Sequence, residues 1–252
     1  MTPRKILLTG ATGGIGEAVA RRFARNGDLL FLQGHANVEK LSFLCHELPL
    51  AKSLNADLSD TAAQDRVVET AWNEVRPGID LFIQAAGIDI LTGIRKGWTF
   101  EQKLDALLQV DVTASVRMAR NVAKRMQEHG GGTILLFGWS ALPHGLAGDS
   151  AELFSVAKGA VTAFAKSLAQ KVGPTVRVLC IAPGWIRTAW GQNAPEIWQK
   201  RAEQTSLLNR WGRPEDVAEA LFFLASPQAA FLNSIVLPID GGERWGELFS
   251  GN

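Results

Sequence analysis

The chain has 252 residues, 46% hydrophobic and 20% charged, with 25 glycines, which can fill one large core and excludes disorder, collagen-like repeats and coiled coil. Twenty-six Lys and Arg against 25 Asp and Glu leave a net charge of +1, so nothing in the overall charge points to nucleic acid or an acidic membrane. Cys45 and Cys180 form no metal or disulfide pattern, and neither a signal region nor an apolar run near ~20 residues occurs, so a cytoplasmic chain without a membrane span is expected.

In chain order, the first strand signal is Ile6-Leu7-Leu8, followed by a glycine-rich turn and a helix over 16–26 that Asn26-Gly27 closes. Further strands are expected at 29–32, 51–55, 80–84, 133–137, 176–181 and 234–238. Helical periodicity occupies about 61–74, 100–128, 151–171 and 213–224 between them. Leu81-Phe82-Ile83 and Ile134-Leu135-Leu136 are continuously apolar, as a parallel sheet covered on both faces requires. No repeat or linker divides the chain, so residues 1–252 read as one α/β domain. The helix around Phe154–Leu168 has almost no polar face, and cover by a second subunit is the economical explanation, burial within the monomer the other.

Thr9-Gly10-Ala11-Thr12-Gly13-Gly14-Ile15-Gly16 lies between the first strand and its helix. Its glycines permit close backbone approach, and the helix start offers free N–H groups to a pyrophosphate; a plain tight connection is the alternative. Asn55-Ala56-Asp57-Leu58, Gln84-Ala85-Ala86-Gly87, Pro183-Gly184-Trp185-Ile186-Arg187-Thr188, Gly212-Arg213-Pro214-Glu215-Asp216-Val217 and Asp240-Gly241-Gly242 complete a set of segments. With T-G-x-x-x-G-x-G they resemble the short-chain dehydrogenase/reductase family nearly end to end. The resemblance implies a Rossmann-type, doubly wound parallel sheet of seven strands, an NAD(P)(H) cofactor and a small-molecule carbonyl or alcohol substrate. It implies cofactor contacts from Gly10, Thr12, Gly14, Ile15 and Gly16, from Asp57 and Leu58 at the adenine, from Ala85, Ala86 and Gly87, and from Pro183, Gly184, Ile186 and Thr188. After the second strand, Leu32-Gln33-Gly34-His35-Ala36-Asn37 contains no acid to accept from a ribose 2′-hydroxyl, while His35 and Asn37 can donate to a 2′-phosphate; NADP is therefore preferred over NAD.

The chemistry departs from the family pattern. The family's reaction, hydride transfer at C4 of the nicotinamide, uses a tyrosine and lysine spaced Y-x-x-x-K, a serine and an asparagine. Here Phe154-Ser155-Val156-Ala157-Lys158 keeps Lys158 and replaces the phenol with a bare ring, which can neither ionise nor donate a proton. The asparagine falls on Asp111, the serine on Gly138 or Trp139, or on Ser140 after a one-residue shift, and the chain contains no tyrosine. Three explanations stand: an oxidoreductase with rearranged acid–base groups, a dinucleotide-binding sensor or scaffold without turnover, or a Tyr-to-Phe inactivated variant. Lys158 can bind the nicotinamide ribose under any of them, and Asp111 is its candidate partner.

The loop 140–152 holds His144, Asp149 and Glu152; His144 is a candidate acid, and Asp149 or Ser150 is expected to cap the following helix. Trp139, Trp185 and Trp190, with Phe154, suit an apolar pocket for a flat or hydrophobic ligand, and the variable loop 189–209 sets substrate choice. A homo-oligomer, dimer or tetramer, is expected.

Overall fold

A computed structural model describes residues 3–74, 78–188, 191 and 194–244. Each strand of an α/β sheet places alternate residues on opposite faces, so a continuously apolar run needs a hydrophobic layer on both sides. The strands β1 (Lys5–Thr9), β2 (Leu29–Gly34), β3 (Ala51–Asn55), β4 (Leu81–Gln84), β5 (Gly132–Phe137), β6 (Val176–Pro183) and β7 (Val236–Ile239) meet that need in one sheet among the described residues. Its order is β3-β2-β1-β4-β5-β6-β7 and every pairing is parallel.

Leu7, Phe31, Phe82, Ile134, Leu136 and Val178 face one layer, built from helices α3 (Thr61–Glu74), α5 (Ala114–Glu128) and α6 (Asp149–Val172) through Val67, Val68, Met118, Val122, Val161 and Ala165. Ile6, Leu8, Leu30, Leu32, Ile83, Leu135 and Leu179 face the other. There α1 (Gly14–Ala24) supplies Val19 and Phe23, α2 (Val38–Glu47) supplies Leu41 and Leu44, and the last helix, Pro214–Leu224, supplies Val217 and Leu221. Most of these side chains are fully removed from water, each contributing roughly 1.5–3 kcal/mol of transfer free energy before entropy is charged against it.

Three departures from the sequence reading have physical causes. Helix α2 lies in a stretch to which the sequence reading assigns no element; Asn37 Oδ1 accepts from Lys40 N at 2.9 Å and starts it. The single helix over 100–128 is two, α4 (Phe100–Leu107) and α5, joined by a π-helical turn at Leu108–Thr113. A short helix, α7 (Glu196–Thr205), occupies the loop before the final helix, α8 (Pro214–Leu224). Strand and helix ends otherwise lie within two residues of the expected positions, as capping geometry decides them.

The strand order reverses between β1 and β4, opening a crevice at the carboxyl ends of the strands. The opposite, amino end is fastened by arginines. Arg4 pairs with the buried carboxylate of Asp28 at 2.6 Å, and Arg177 donates to the carbonyls of Leu224, Ala229 and Leu232 and to Thr133 Oγ1 at 2.9–3.1 Å. Burial draws the Arg177 guanidinium below its ordinary pKa. Replacing Arg177 with alanine strands these acceptors, and urea unfolding is expected to report a loss of about 2–4 kcal/mol.

Candidate active site

The segments that enter the crevice leave the carboxyl ends of β1, β2, β3, β4 and β6, so the chain order alone gathers them. Gly10 has φ of +67°, and a Cβ on it would lie 2.7 Å from Ala86 Cα, so only glycine lets the β1 loop pass the Gln84–Gly87 segment. At Gly16 a Cβ would meet Gly10 O at 2.1 Å, which makes the loop fold back on the start of α1. Helix α1 is capped by Gly13 with no side-chain hydrogen bond, leaving the first-turn amides of Gly14, Ile15 and Gly16 clear of side-chain competitors. Such a donor set fits a diphosphate.

Around it, Thr12 packs on Gly34, and Thr188 lies against Gly14, where a Cβ would be 3.2 Å from its Cγ2. Gln33 Oε1 accepts from Gly10 N at 3.0 Å, while Thr9 Oγ1 donates to Gln84 Oε1 and accepts from Ala86 N, so buried amides hold the loop in shape. His35 Nε2 lies 3.8 Å from Asp57 Oδ2 at the far end of the crevice, with Leu58 buried behind. Partial burial works to raise Asp57, but bonds from Ser59 and the charges of His35 and Arg95 carry it below the usual aspartate range. Asn37 Oδ1 is committed to capping α2, which leaves only its amide nitrogen for a ligand.

At the other end, the π turn swings Asp111 inward until 2% of it remains exposed. Its Oδ2 pairs with Lys158 Nζ at 2.7 Å and its Oδ1 accepts from Ile88 N at 2.9 Å. Gly87 is required beside it, since a Cβ there would come within 2.8 Å of Oδ2. Phe154, one turn before Lys158 on α6, packs among Ile90, Leu153 and Ala157, with its ring centroid 6.2 Å from that of Trp139.

A cavity of about 580 Å³ opens beside these groups. Trp139, Phe154, Gly184, Trp185 and Ile186 line it, as do Ile90, Leu146, Trp198, Trp211 and Arg201. Trp185 packs on Trp198 and Trp211 at centroid distances of 5.7 and 5.9 Å, which makes one wall aromatic. Ser140 is buried and donates from Oγ to Glu243 Oε2 at 3.1 Å, and Glu243 itself faces the cavity. Burial pushes Glu243 up to about 7, aided by the charge of Asp240 and opposed by the Ser140 hydrogen bond.

His144 is exposed in a turn closed by its N–H to Ala141 O, and it does not line the cavity. Neither Asp149 nor Ser150 caps α6: the cap is Gly148, at φ of +110°, and Asp149 and Glu152 fall in the first turn, where their charge suits the helix dipole. Trp190 lies outside the described residues, as do 189, 192 and 193 of the 189–209 segment. Trp198, Trp211 and Glu243 escape the sequence reading. The two tryptophans carry a signal in belonging to a set of eight, whereas Glu243 has none beyond following Gly241-Gly242.

A family model described as Enoyl-(Acyl carrier protein) reductase matches residues 10–243. The 3alpha-hydroxysteroid dehydrogenase of Mediterraneibacter gnavus is 31% identical over 246 residues, covering 94% of this chain and 96% of that protein. Among solved structures, the 3-ketoacyl-(acyl-carrier-protein) reductase from Brucella melitensis complexed with NADH aligns with a TM-score of 0.84 at 26% identity, over 94% of this chain and 96% of that one. A short chain dehydrogenase from Burkholderia cenocepacia J2315 in complex with NADP also aligns at 0.84 and 26%, over 95% and 97%.

Breaking the buried pair from one side leaves a charge without its partner. Lys158→Met is expected to cost about 3–5 kcal/mol in urea unfolding, and Asp111→Asn combined with it should regain a large part of that loss.

Proposed function

The chain belongs to the short-chain dehydrogenase/reductase family, and we propose that it is an NAD(P)(H)-dependent oxidoreductase that interconverts a carbonyl and an alcohol on a small, hydrophobic or flat molecule. The observation that carries this reading is the union of an uncapped, glycine-rich helix start with an aromatic cavity at the same carboxyl edge of the sheet. When bound, the cofactor supplies or accepts a hydride at C4 of its nicotinamide. The amides of Gly14, Ile15 and Gly16 hold the diphosphate, with Gly10 and Thr12 shaping the loop around it. Asp57 and Leu58 bound the adenine end, and Ala85, Ala86 and Gly87 with Pro183, Gly184, Ile186 and Thr188 form the walls of the crevice. Lys158 donates to the nicotinamide ribose hydroxyls, and Asp111 fixes its ammonium in place. Trp139, Phe154 and Trp185 exclude water and accept the apolar body of the substrate.

NADP(H) is the preferred form in this reading. The support is the segment after β2, where His35 and Asn37 stand in place of an acid. A dimer or tetramer is part of the same proposal, because Val156, 51% exposed, lies with exposed Ala160 and Ala163 on the outer face of α6. Free Cys45 and buried free Cys180 fit a reducing, cytoplasmic location. Phe154 favours a second reading, a dinucleotide-binding sensor without turnover, since a bare ring cannot pass a proton.

Calorimetry with NADPH and NADH, followed by absorbance at the nicotinamide band over a panel of hydrophobic ketones and aldehydes, separates the readings. NADPH should bind tighter, and His35→Asp should shift the preference toward NADH by roughly tenfold, about 1.4 kcal/mol. Oxidation by any carbonyl supports the enzyme, and tight binding with none supports the sensor. In sedimentation velocity, Val156→Lys is expected to shift the protein toward monomer.

A further inference from the structure

We propose that Glu243 is the proton donor and acceptor of this cavity, the group that replaces the missing phenol. The inference rests on the reading that a carbonyl or alcohol enters there.

The backbone builds the position. After β7, Gly241 and Gly242 adopt φ of +71° and +73°, with Gly242 N donating to Asp240 Oδ1, and the chain reverses. Glu243 then forms an antiparallel bridge with Ser206, flanked by Leu207 N to Gly242 O and Arg244 N to Thr205 O. The returning strand is thus held on both sides of the residue. Its side chain points to the carboxyl edge of the sheet, where Oε2 accepts from Ser140 and Oε1 lies against Gly184, at a point where a Cβ would come within 2.8 Å. Ser140 follows β5 and Gly184 follows β6, so the carboxyl sits between the two segments that flank the reacting end of the crevice.

The other polar groups have different duties. Lys158 is tied to Asp111, and Phe154 holds no proton. Of the remaining charged groups on the cavity wall, Asp149 begins α6, Lys96 and Lys103 come from the segment around α4, and Arg201 lies over the Trp198 ring at 5.0 Å. Asp240 is the anion that bears on Glu243, and Ser140 its hydrogen-bond donor. Burial pushes Glu243 up to about 7, the range in which one group can serve both directions.

In reduction, the carbonyl oxygen takes the Glu243 proton as the carbonyl carbon takes the hydride supplied by reduced nicotinamide. The C=O π bond becomes the new O–H bond as the carboxyl O–H bond breaks, leaving the alcohol, oxidised nicotinamide and a Glu243 carboxylate that water reprotonates. Oxidation runs the same transfers in reverse, with the carboxylate as base.

Infrared difference titration of the cofactor-free protein against Glu243→Gln tests the donor directly. A protonated-carboxyl band that titrates near 7 and is lost in E243Q is expected, and a titration in the ordinary glutamate range overturns the proposal. Stability should follow the same group: between about 4.5 and 7 the folded state keeps a proton that the unfolded chain has released, so wild-type stability falls relative to E243Q as pH rises through that window. With a carbonyl that the wild type reduces, E243Q should lower kcat by about 10²–10³-fold with unchanged NADPH affinity. Phe154→Tyr introduced into E243Q should restore part of the lost turnover, which a merely structural role for Glu243 does not predict. Full turnover by E243Q overturns the donor alone, whereas a wild type that binds NADPH and reduces nothing overturns the oxidoreductase reading with it.

Discussion

A single buried ion pair organises the reacting end of this molecule. The under-wound turn carries the Asp111 carboxylate to Lys158, whose side chain is 18% exposed and whose charge is met there. Two charges taken from water individually would each cost several kcal/mol, so the pair, together with the amide of Ile88, makes the arrangement all or nothing. Together the two buried groups carry no net charge. The ammonium is thereby positioned with its charge already balanced, near a cavity with aromatic walls.

The same balance separates two tasks that one tyrosine–lysine couple combines in the family pattern. Under the proposed function the lysine keeps its hold on a sugar, and proton transfer passes to Glu243, where it meets Ser140 at the cavity. Sequence proximity hides this. Phe154 and Lys158 are four positions apart and visible together, whereas Ser140 and Glu243 lie 103 positions apart and become neighbours only when β5 and β7 enter one sheet.

What the sequence reveals follows the range of the forces involved. Apolar runs such as Leu81-Phe82-Ile83 state their own burial, and the glycines of the β1 loop state a backbone constraint, so the sheet and the dinucleotide crevice are legible early. Helix α2 is hidden because its start depends on one Asn37 hydrogen bond, a matter of local geometry that composition does not express. The π turn is hidden because a helix with one extra residue keeps its periodicity on either side. Asp149 reads as a cap from its type alone, yet Gly148 takes that place with a φ that suits glycine. His144 reads as an acid by proximity in sequence, and the turn that holds it exposed is set by the backbone of Ala141.

The fastening of the amino end by Arg4 and Arg177 has a consequence for how such a protein can change. Both guanidiniums stitch helix ends to the sheet on the side away from the tryptophan-lined wall. Cohesion and selectivity are therefore carried by separate sets of residues, and the rim that meets ligands is free to drift through new side chains without loosening its foundation. A lineage built on this plan can explore new substrates at little risk to its architecture.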